Sequence, residues 1–186
     1  MLKTTIFFFA VFVMFGCKPD IPKSRYNLDK CKIELLNSID YGQNGSIDSI
    51  LIIKKNRKMY LYKDGKVKMT IPISLGKNPV GRKEKQGDNK TPEGNFFIHR
   101  KLCSSKYYRS LCISYPNPKD KARARARGLN PGGNITIHAQ PTWNADGRGD
   151  SYTLAHNWTQ GCIAVTNSAM DKLWYWVHEG VRVTIR

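Results

Sequence analysis

From Ile47 onward apolar positions recur in short runs with a period of two, broken by glycine, proline and asparagine. Such a period sends successive side chains to opposite faces of an extended chain, so it predicts strands over Ile47–Lys54 and Lys58–Lys63. Asp64-Gly65 is a tight-turn dipeptide and joins the second run to a third. There Val67, Met69, Ile71 and Ile73 alternate with Lys66, Lys68, Thr70 and Pro72, one set inward and the other toward water. Pro72 has no N–H for a ladder, which makes this an edge strand or ends it there. Asn95–Arg100, Asn134–His138, Ile163–Thr166 and Val181–Ile185 read as further strands. The period changes once in the C-terminal part: Met170, Leu173, Trp174 and Val177 follow helical spacing, with Asn167 or Ser168 as N-cap, a helix reaching His178, and Gly180 as its stop. A shorter helix is expected over Asp29–Ser38, capped by Asp29, with Ile33 and Leu36 as a partial apolar stripe.

The remaining stretches lack periodicity. Gly76–Asn89 is a lysine- and glycine-rich loop. Lys121–Arg127 alternates basic residues with alanine and reads as a mobile basic loop or a short extended segment. Gln140–Trp158, rich in Gly, Asn, Asp and aromatics, is expected to lie over a site as a lid. At the N-terminus, Met1-Leu2-Lys3 precedes an unbroken apolar run of ten residues, Ile6–Phe15. A spanning helix needs about 20 residues, so residues 1–16 read as a signal peptide. Met14-Phe15-Gly16-Cys17 resembles a lipobox with Cys17 as the lipidated residue, ordinary cleavage nearby being the alternative. Residues 17–46 then form a polar tether and 47–186 a single domain, a size that suits a chain of 186 residues with 40% hydrophobic content.

Charge narrows the partners. Thirty-one Lys and Arg against 14 Asp and Glu leave +17, which suggests an anionic partner: nucleic acid, an acidic membrane surface or a wall polymer. The charge is spread over loops and strand faces and no nucleic-acid module is recognisable, so it reads as a solvated basic surface.

Candidate chemistry gathers at Thr159-Gln160-Gly161-Cys162-Ile163-Ala164-Val165. A cysteine behind a glycine, where a loop enters an apolar β-branched run, has its sulfur at a strand mouth with backbone N–H groups beside it. An ordinary thiol has a pKa of about 8.5, so a nucleophilic cysteine needs a neighbour that raises its thiolate fraction. His138 is the candidate: it shares a strand face with Thr136, opposite Ile135 and Ile137. Amides around Gly161 and Cys162 are candidates for an oxyanion hole, and Thr159 for loop support through its hydroxyl. The structural alternative is a small buried cysteine at the start of a core strand.

Ile137-His138 paired with Thr159-x-Gly161-Cys162-Ile163 and Asn167 resembles the signature of the YkuD-like L,D-transpeptidases. Gly87-Asp88-Asn89-Lys90-Thr91-Pro92-Glu93-Gly94 resembles the same family's G-D-x-x-T-P-x-G segment. The resemblance runs from about Ser49 to Arg186. It implies a mainly β fold, a β-sandwich of mixed sheets with one main C-terminal helix, and cysteine acyl transfer without metal or other cofactor. It further implies Cys162 as nucleophile, His138 as proton acceptor and donor, peptidoglycan stem peptides as substrate through meso-diaminopimelate, and a place in the bacterial cell envelope, in the periplasm; the lipobox-like stretch adds membrane anchoring through Cys17. Three stretches, "SYPNPKDKARARARG", "PGGNITIHAQP" and "WTQGCIAVTNSAMDKLW", are most similar to the branch that detaches a murein-bound lipoprotein from peptidoglycan. Three departures stand out: a longer spacing between His138 and Thr159, Gln160 in place of a common histidine, and Ala164 in place of an arginine associated with the substrate carboxylate.

Other residues carry weaker expectations. Arg123, Arg125 and Arg127 are candidates for binding a carboxylate, with Gln160 and His156 as further substrate contacts. His156 is also the rival base, being six residues from Cys162. His99 reads as a structural or surface histidine. Cys103 and Cys112, nine positions apart, are a candidate disulfide that would leave Cys31 unpaired; free buried thiols are the alternative. No Cys-x₂₋₄-Cys spacing suggests zinc. Water as acceptor would give hydrolysis, trimming stem peptides or releasing lipoprotein. A non-catalytic basic wall-binding lipoprotein and a sortase-like enzyme are the readings from other classes.

Overall fold

The computed structural model describes residues 28–37, 46–103, 106–107, 109–141 and 149–186. The signal-peptide and lipidation expectations, Cys17 included, lie outside these residues. Eight strands run in chain order: β1 (Ser49–Ile53), β2 (Lys58–Lys63), β3 (Lys66–Pro72), β4 (Gly94–Cys103), β5 (Arg109–Ile113), β6 (Thr136–His138), β7 (Ile163–Ala164) and β8 (Arg182–Ile185). They form one mixed sheet in the order β3-β2-β1-β8-β4-β5-β6-β7. The C-terminal strand thus lies in the middle of the sheet, parallel to β1 and antiparallel to β4. Asp64 and Gly65 sit at φ 50° and 72°, the left-handed pair a two-residue hairpin needs, and they close β2 onto β3.

The sheet curls until its edges meet. Two residues past β3, Ser74 exchanges both backbone hydrogen bonds with Ala164 of β7, at 2.9 and 2.8 Å, and Lys77 N–H donates to the Thr159 carbonyl at 2.9 Å. Pro72 lies on the edge strand, as its missing donor requires. Ile52, Met59, Leu61, Ile71, Ile98, Leu111, Ile137, Ile163 and Val183 fill the interior, all fully buried. Val67 departs from its expected inward position and is 49% exposed, because the hairpin tip projects beyond the core.

Four helices flank the sheet among the described residues, the two expected and two more: α1 (Leu28–Asn37), α2 (Pro118–Ala126), α3 (Gly149–Ala155) and α4 (Asn167–Trp176). The fourth buries Met170, Leu173 and Trp174, as its spacing predicts, but its N-cap is Thr166, whose hydroxyl accepts from Ala169 N–H at 3.2 Å. The second replaces the expected basic loop. Asn117 and Asp120 cap each other's backbone N–H groups in a capping box, and Pro118 occupies the first turn. Those cues precede the arginine–alanine alternation, whose period of two by itself suggests an extended segment.

The first helix is tied down more firmly than a tether would be. Cys31 is bonded to Cys103, which corrects the expected Cys103–Cys112 pair; Cys112 is free and buried. Cys103 faces Arg109 across the β4–β5 ladder while Cys112 faces Arg100, three residues further along β4. At about 3.3 Å per residue that separation exceeds disulfide reach. Buried Arg109 adds ion pairs to Glu34 of α1 and, at 2.8 Å, to Asp171 of α4. The expected apolar stripe of α1 is turned outward, with Ile33 56% and Leu36 75% exposed, because Cys31 is the residue that faces the core. The bond closes a sequence separation of 72 residues. Chain-entropy arguments give such a loop roughly 4 kcal/mol of stabilisation. Cys31→Ser is therefore expected to lower the thermal midpoint by about 10 °C, as reductant does to the parent protein, while Cys112→Ser shifts it by far less. Calorimetry of the three forms distinguishes the two pairings.

Candidate active site

Strand register assembles the site. Ser110, Leu111 and Cys112 of β5 pair with His138, Ile137 and Thr136 of β6, and Ile137 and His138 pair in parallel with Ile163 and Ala164 of β7. Residues paired across a ladder share a face. Leu111, Ile137 and Ile163 point into the core; Thr136 and His138 point to the other side, and so does Cys162, one residue ahead of Ile163. Its direct neighbour across the ladder is Thr136, whose hydroxyl donates to the Cys162 sulfur at 3.6 Å. The thiol donates in turn to the Asn134 carbonyl at 3.6 Å. His138 is the diagonal neighbour, a position about 7 Å away between Cβ atoms and within reach of a ring side chain. No hydrogen bond joins imidazole and sulfur in this structure.

What holds the imidazole is its own surroundings. Nδ1 lies 2.7 Å from the Ala139 carbonyl oxygen. A carbonyl can only accept, so Nδ1 carries the proton and Nε2 keeps its lone pair. The Tyr107 ring lies against the imidazole with centroids 4.0 Å apart, and Trp158 meets it edge-on at 5.6 Å. This burial pushes the His138 pKa down to about 4, against the opposing effect of the Ala139 bond. Burial also raises the Cys162 thiol, while the Thr136 backbone and hydroxyl pull it down. At rest the pair is a neutral thiol and a neutral imidazole, not a preformed ion pair. Alkylation of Cys162 by iodoacetamide is accordingly expected to rise about tenfold per pH unit through pH 8. A plateau beginning below pH 7 would contradict the neutral resting state.

Thr159 organises the loop before the cysteine. Its hydroxyl accepts from Gly161 N–H at 3.1 Å and donates to the Cys162 carbonyl at 2.7 Å. The Gly161 amide is therefore committed within the loop and is not open to an oxyanion, a correction to the sequence expectation. The Cys162 N–H makes no hydrogen bond among the described residues. Gly161 has φ +129°, and a Cβ there would meet the Lys90 carbonyl oxygen at 2.7 Å. At Gly76 a Cβ would meet the Asn89 carbonyl oxygen at 2.1 Å. These two glycines let the Gly87–Gly94 segment lie backbone to backbone against the cysteine loop. Asp88 sets that segment's shape: its carboxylate accepts from Lys83 Nζ at 2.7 Å and from the N–H groups of Glu84, Lys85 and Lys90 at 2.8 to 3.1 Å. Those four donors, led by Lys83, overcome the upward push of burial and hold its pKa at about 2. Buried Lys54 secures the far end through the Gly81 and Thr91 carbonyls and Glu93.

Cys162 opens into a groove of about 560 Å³ lined by Lys83, Gln86, Asn130, Asn134 and Gln160. Of the expected substrate contacts only Gln160 is on it. Arg123 is paired with Asp120 and borders a second groove with Arg82 and Lys119. Arg127 pairs with Glu84, and Arg125 lies exposed in the last turn of α2. His156 is exposed and stands edge-on to Tyr152, so His138 is the histidine beside the cysteine; His99 is exposed on β4. The part of the expected lid that is described is stitched down. Ser74 Oγ and Trp158 Nε1 both donate to the Thr153 carbonyl, Asn157 accepts from Leu75 N–H, and Arg57 reaches the Leu154 carbonyl. Lys83, Gln86 and Asn130 carried no sequence signal, since each stands in an aperiodic polar loop. Tyr107 and Trp158 were legible only as aromatics in loops. Among the described residues no three His, Cys, Asp or Glu side chains are grouped to hold a metal.

The model of the YkuD family, the L,D-transpeptidase catalytic domain, matches residues 48–185. YafK of Escherichia coli (strain K12) is 31% identical over 143 residues, covering 72% of this chain and 48% of that protein. The helical cell shape determining protein Pgp2 from Campylobacter jejuni superposes with a TM-score of 0.55 at 27% identity, over 88% of this chain and 56% of that one. Bd1075 of Bdellovibrio bacteriovorus superposes with a TM-score of 0.52 at 26% identity, over 78% of this chain and 49% of that one. The chain spans about half the length of the curated relatives it matches.

Proposed function

Because the chain belongs to the YkuD family of L,D-transpeptidase catalytic domains, we propose that it is a peptidoglycan-modifying cysteine acyl-transferase. The observation that carries this reading is the placement of Cys162 and His138 on one face of adjacent, in-register strands, with the sulfur lining a groove. Binding of a wall peptide displaces water and brings Nε2 of the neutral imidazole to the thiol. Proton transfer then generates the thiolate as it attacks the carbonyl of a meso-diaminopimelate residue. The Cys162 N–H faces the developing oxyanion. The imidazolium returns its proton to the departing amine, leaving a thioester on Cys162. An acceptor amine, deprotonated by His138, resolves the thioester into a new amide; water in its place yields the free acid. This chemistry belongs in the bacterial cell envelope, and the N-terminal cysteine at position 17 is the proposed point of membrane attachment. The Cys31–Cys103 bond suits an oxidising compartment.

Incubating purified protein with muropeptides and following the products by mass spectrometry separates the outcomes. A peptide joined through two diaminopimelate residues identifies an amine acceptor. A trimmed stem, or one stripped of attached lipoprotein, identifies water. Absence of any mass change, and of a thioester adduct on the cysteine, would overturn the proposal in favour of a wall-binding protein that uses its +17 charge alone.

A further inference from the structure

Lys83 has a setting that the reaction above does not use. Its side chain is 3% exposed, although it stands in a loop whose neighbours Arg82, Glu84 and Lys85 are all exposed. Among the described residues lining the groove it supplies the one cationic side chain, and none of them is acidic. Nζ is fixed by Asp88 Oδ1 at 2.7 Å and the Lys85 carbonyl at 3.1 Å, which accounts for two of its three N–H donors. The obvious reading is a loop staple in which lysine and aspartate cancel. The hydrogen bonds argue otherwise. Asp88 is shared among four donors, three of them backbone N–H groups, so most of its hydrogen-bonding capacity is met without the ammonium. Lys83 lines the groove and Asp88 does not, so the groove meets the ammonium rather than its carboxylate partner. The same field reaches the sulfur, where Lys83 favours the thiolate.

We propose that Lys83 is the anion-recognition residue of this groove, holding a free carboxylate of the peptide close to the Cys162 sulfur, with Asp88 as the positioning residue that keeps the ammonium in place. The assignment rests on Cys162 as the nucleophile and specifies the substrate class. The preferred peptides carry a free carboxylate on the residue flanking the attacked carbonyl, and the amidated form of the same peptide is a poor substrate.

Two alkylating reagents of similar size test this without a wall substrate. Iodoacetate carries a carboxylate and iodoacetamide is its neutral amide. The ratio of their rates at Cys162, measured at pH 8 in low salt and assigned by peptide mass mapping so that Cys112 is kept apart, reads the field at the sulfur. Lys83→Met is expected to lower the iodoacetate-to-iodoacetamide ratio about fivefold, and Lys83→Arg to retain most of it. Because Lys83→Met leaves Asp88 with an unmatched charge, the double variant Lys83→Met/Asp88→Asn is measured beside it, with thermal melting to establish folding. An unchanged ratio in either folded variant overturns the role of Lys83 and leaves the nucleophile assignment standing. Failure of both reagents to label Cys162 in the parent protein rejects the nucleophile, and this proposal with it.

Discussion

Cys162→Ala is expected to remove every muropeptide product and every thioester adduct while leaving the domain folded. No neighbour can substitute. The other free thiol, Cys112, lies on β5 with Thr136 of β6 between it and Cys162, and it is 5% exposed. Deleting a covalent nucleophile commonly lowers turnover by four or more orders of magnitude. The structural cost is small because the sulfur's hydrogen bonds to the Thr136 hydroxyl and the Asn134 carbonyl are long, both at 3.6 Å. A stability change within about 1 kcal/mol follows. Product formation by a folded alanine variant, read in the muropeptide assay, would remove Cys162 from the mechanism.

His138→Gln joins two large effects in one substitution. Loss of the proton acceptor is expected to slow acyl transfer about a thousandfold. Glutamine retains an N–H that can donate to the Ala139 carbonyl, so the strand keeps its local bond. The second effect is on stability against pH. The unfolded chain protonates this histidine near 6.5, whereas burial delays protonation in the folded protein to about 4. Between those values the unfolded state binds more protons, so stability falls as pH is lowered and is unaffected above about 7. The shift corresponds to about 3 kcal/mol lost across that window. Asp88, held at about 2, weakens the fold only at still lower pH, and half-exposed His178 adds a smaller slope of the same sign. Denaturant titrations of the parent protein at pH 7 and pH 4.5 should differ by a few kcal/mol, and those of the variant by much less. Equal slopes would mean that His138 is not buried neutral. Retained activity in the variant would return attention to His156.

How far the site was legible depended on the range of the forces involved. The β2–β3 hairpin, the α4 stripe and the cysteine loop are local: a left-handed Asp64-Gly65 turn, four apolar residues at helical spacing and a Thr-x-Gly-Cys stretch each satisfy themselves within a few residues. The α2 capping box is equally local, Asn117 and Asp120 satisfying each other's backbone N–H groups within one turn. Pairings across the ladder were not legible. Whether Cys103 bonds Cys31 or Cys112 turns on a three-residue offset in the β4–β5 register, and spacing along the chain is silent about register. The Gly161 amide looked available for an oxyanion because the Thr159 hydroxyl that occupies it is placed by the fold of the loop.

By itself, then, the order of residues determined the strands other than β5, the main helix and the family, and it marked Cys162 and His138 as the candidate pair. Alternating apolar positions and short motifs encode what a few neighbouring residues can satisfy. Only the tertiary structure decided that a curled sheet brings β6 beside β7, that Tyr107 and Trp158 seal the imidazole into its neutral form, and that Lys83 from an aperiodic loop stands by the sulfur. Those outcomes are set by burial and by contacts between segments dozens of residues apart, and no local pattern records them.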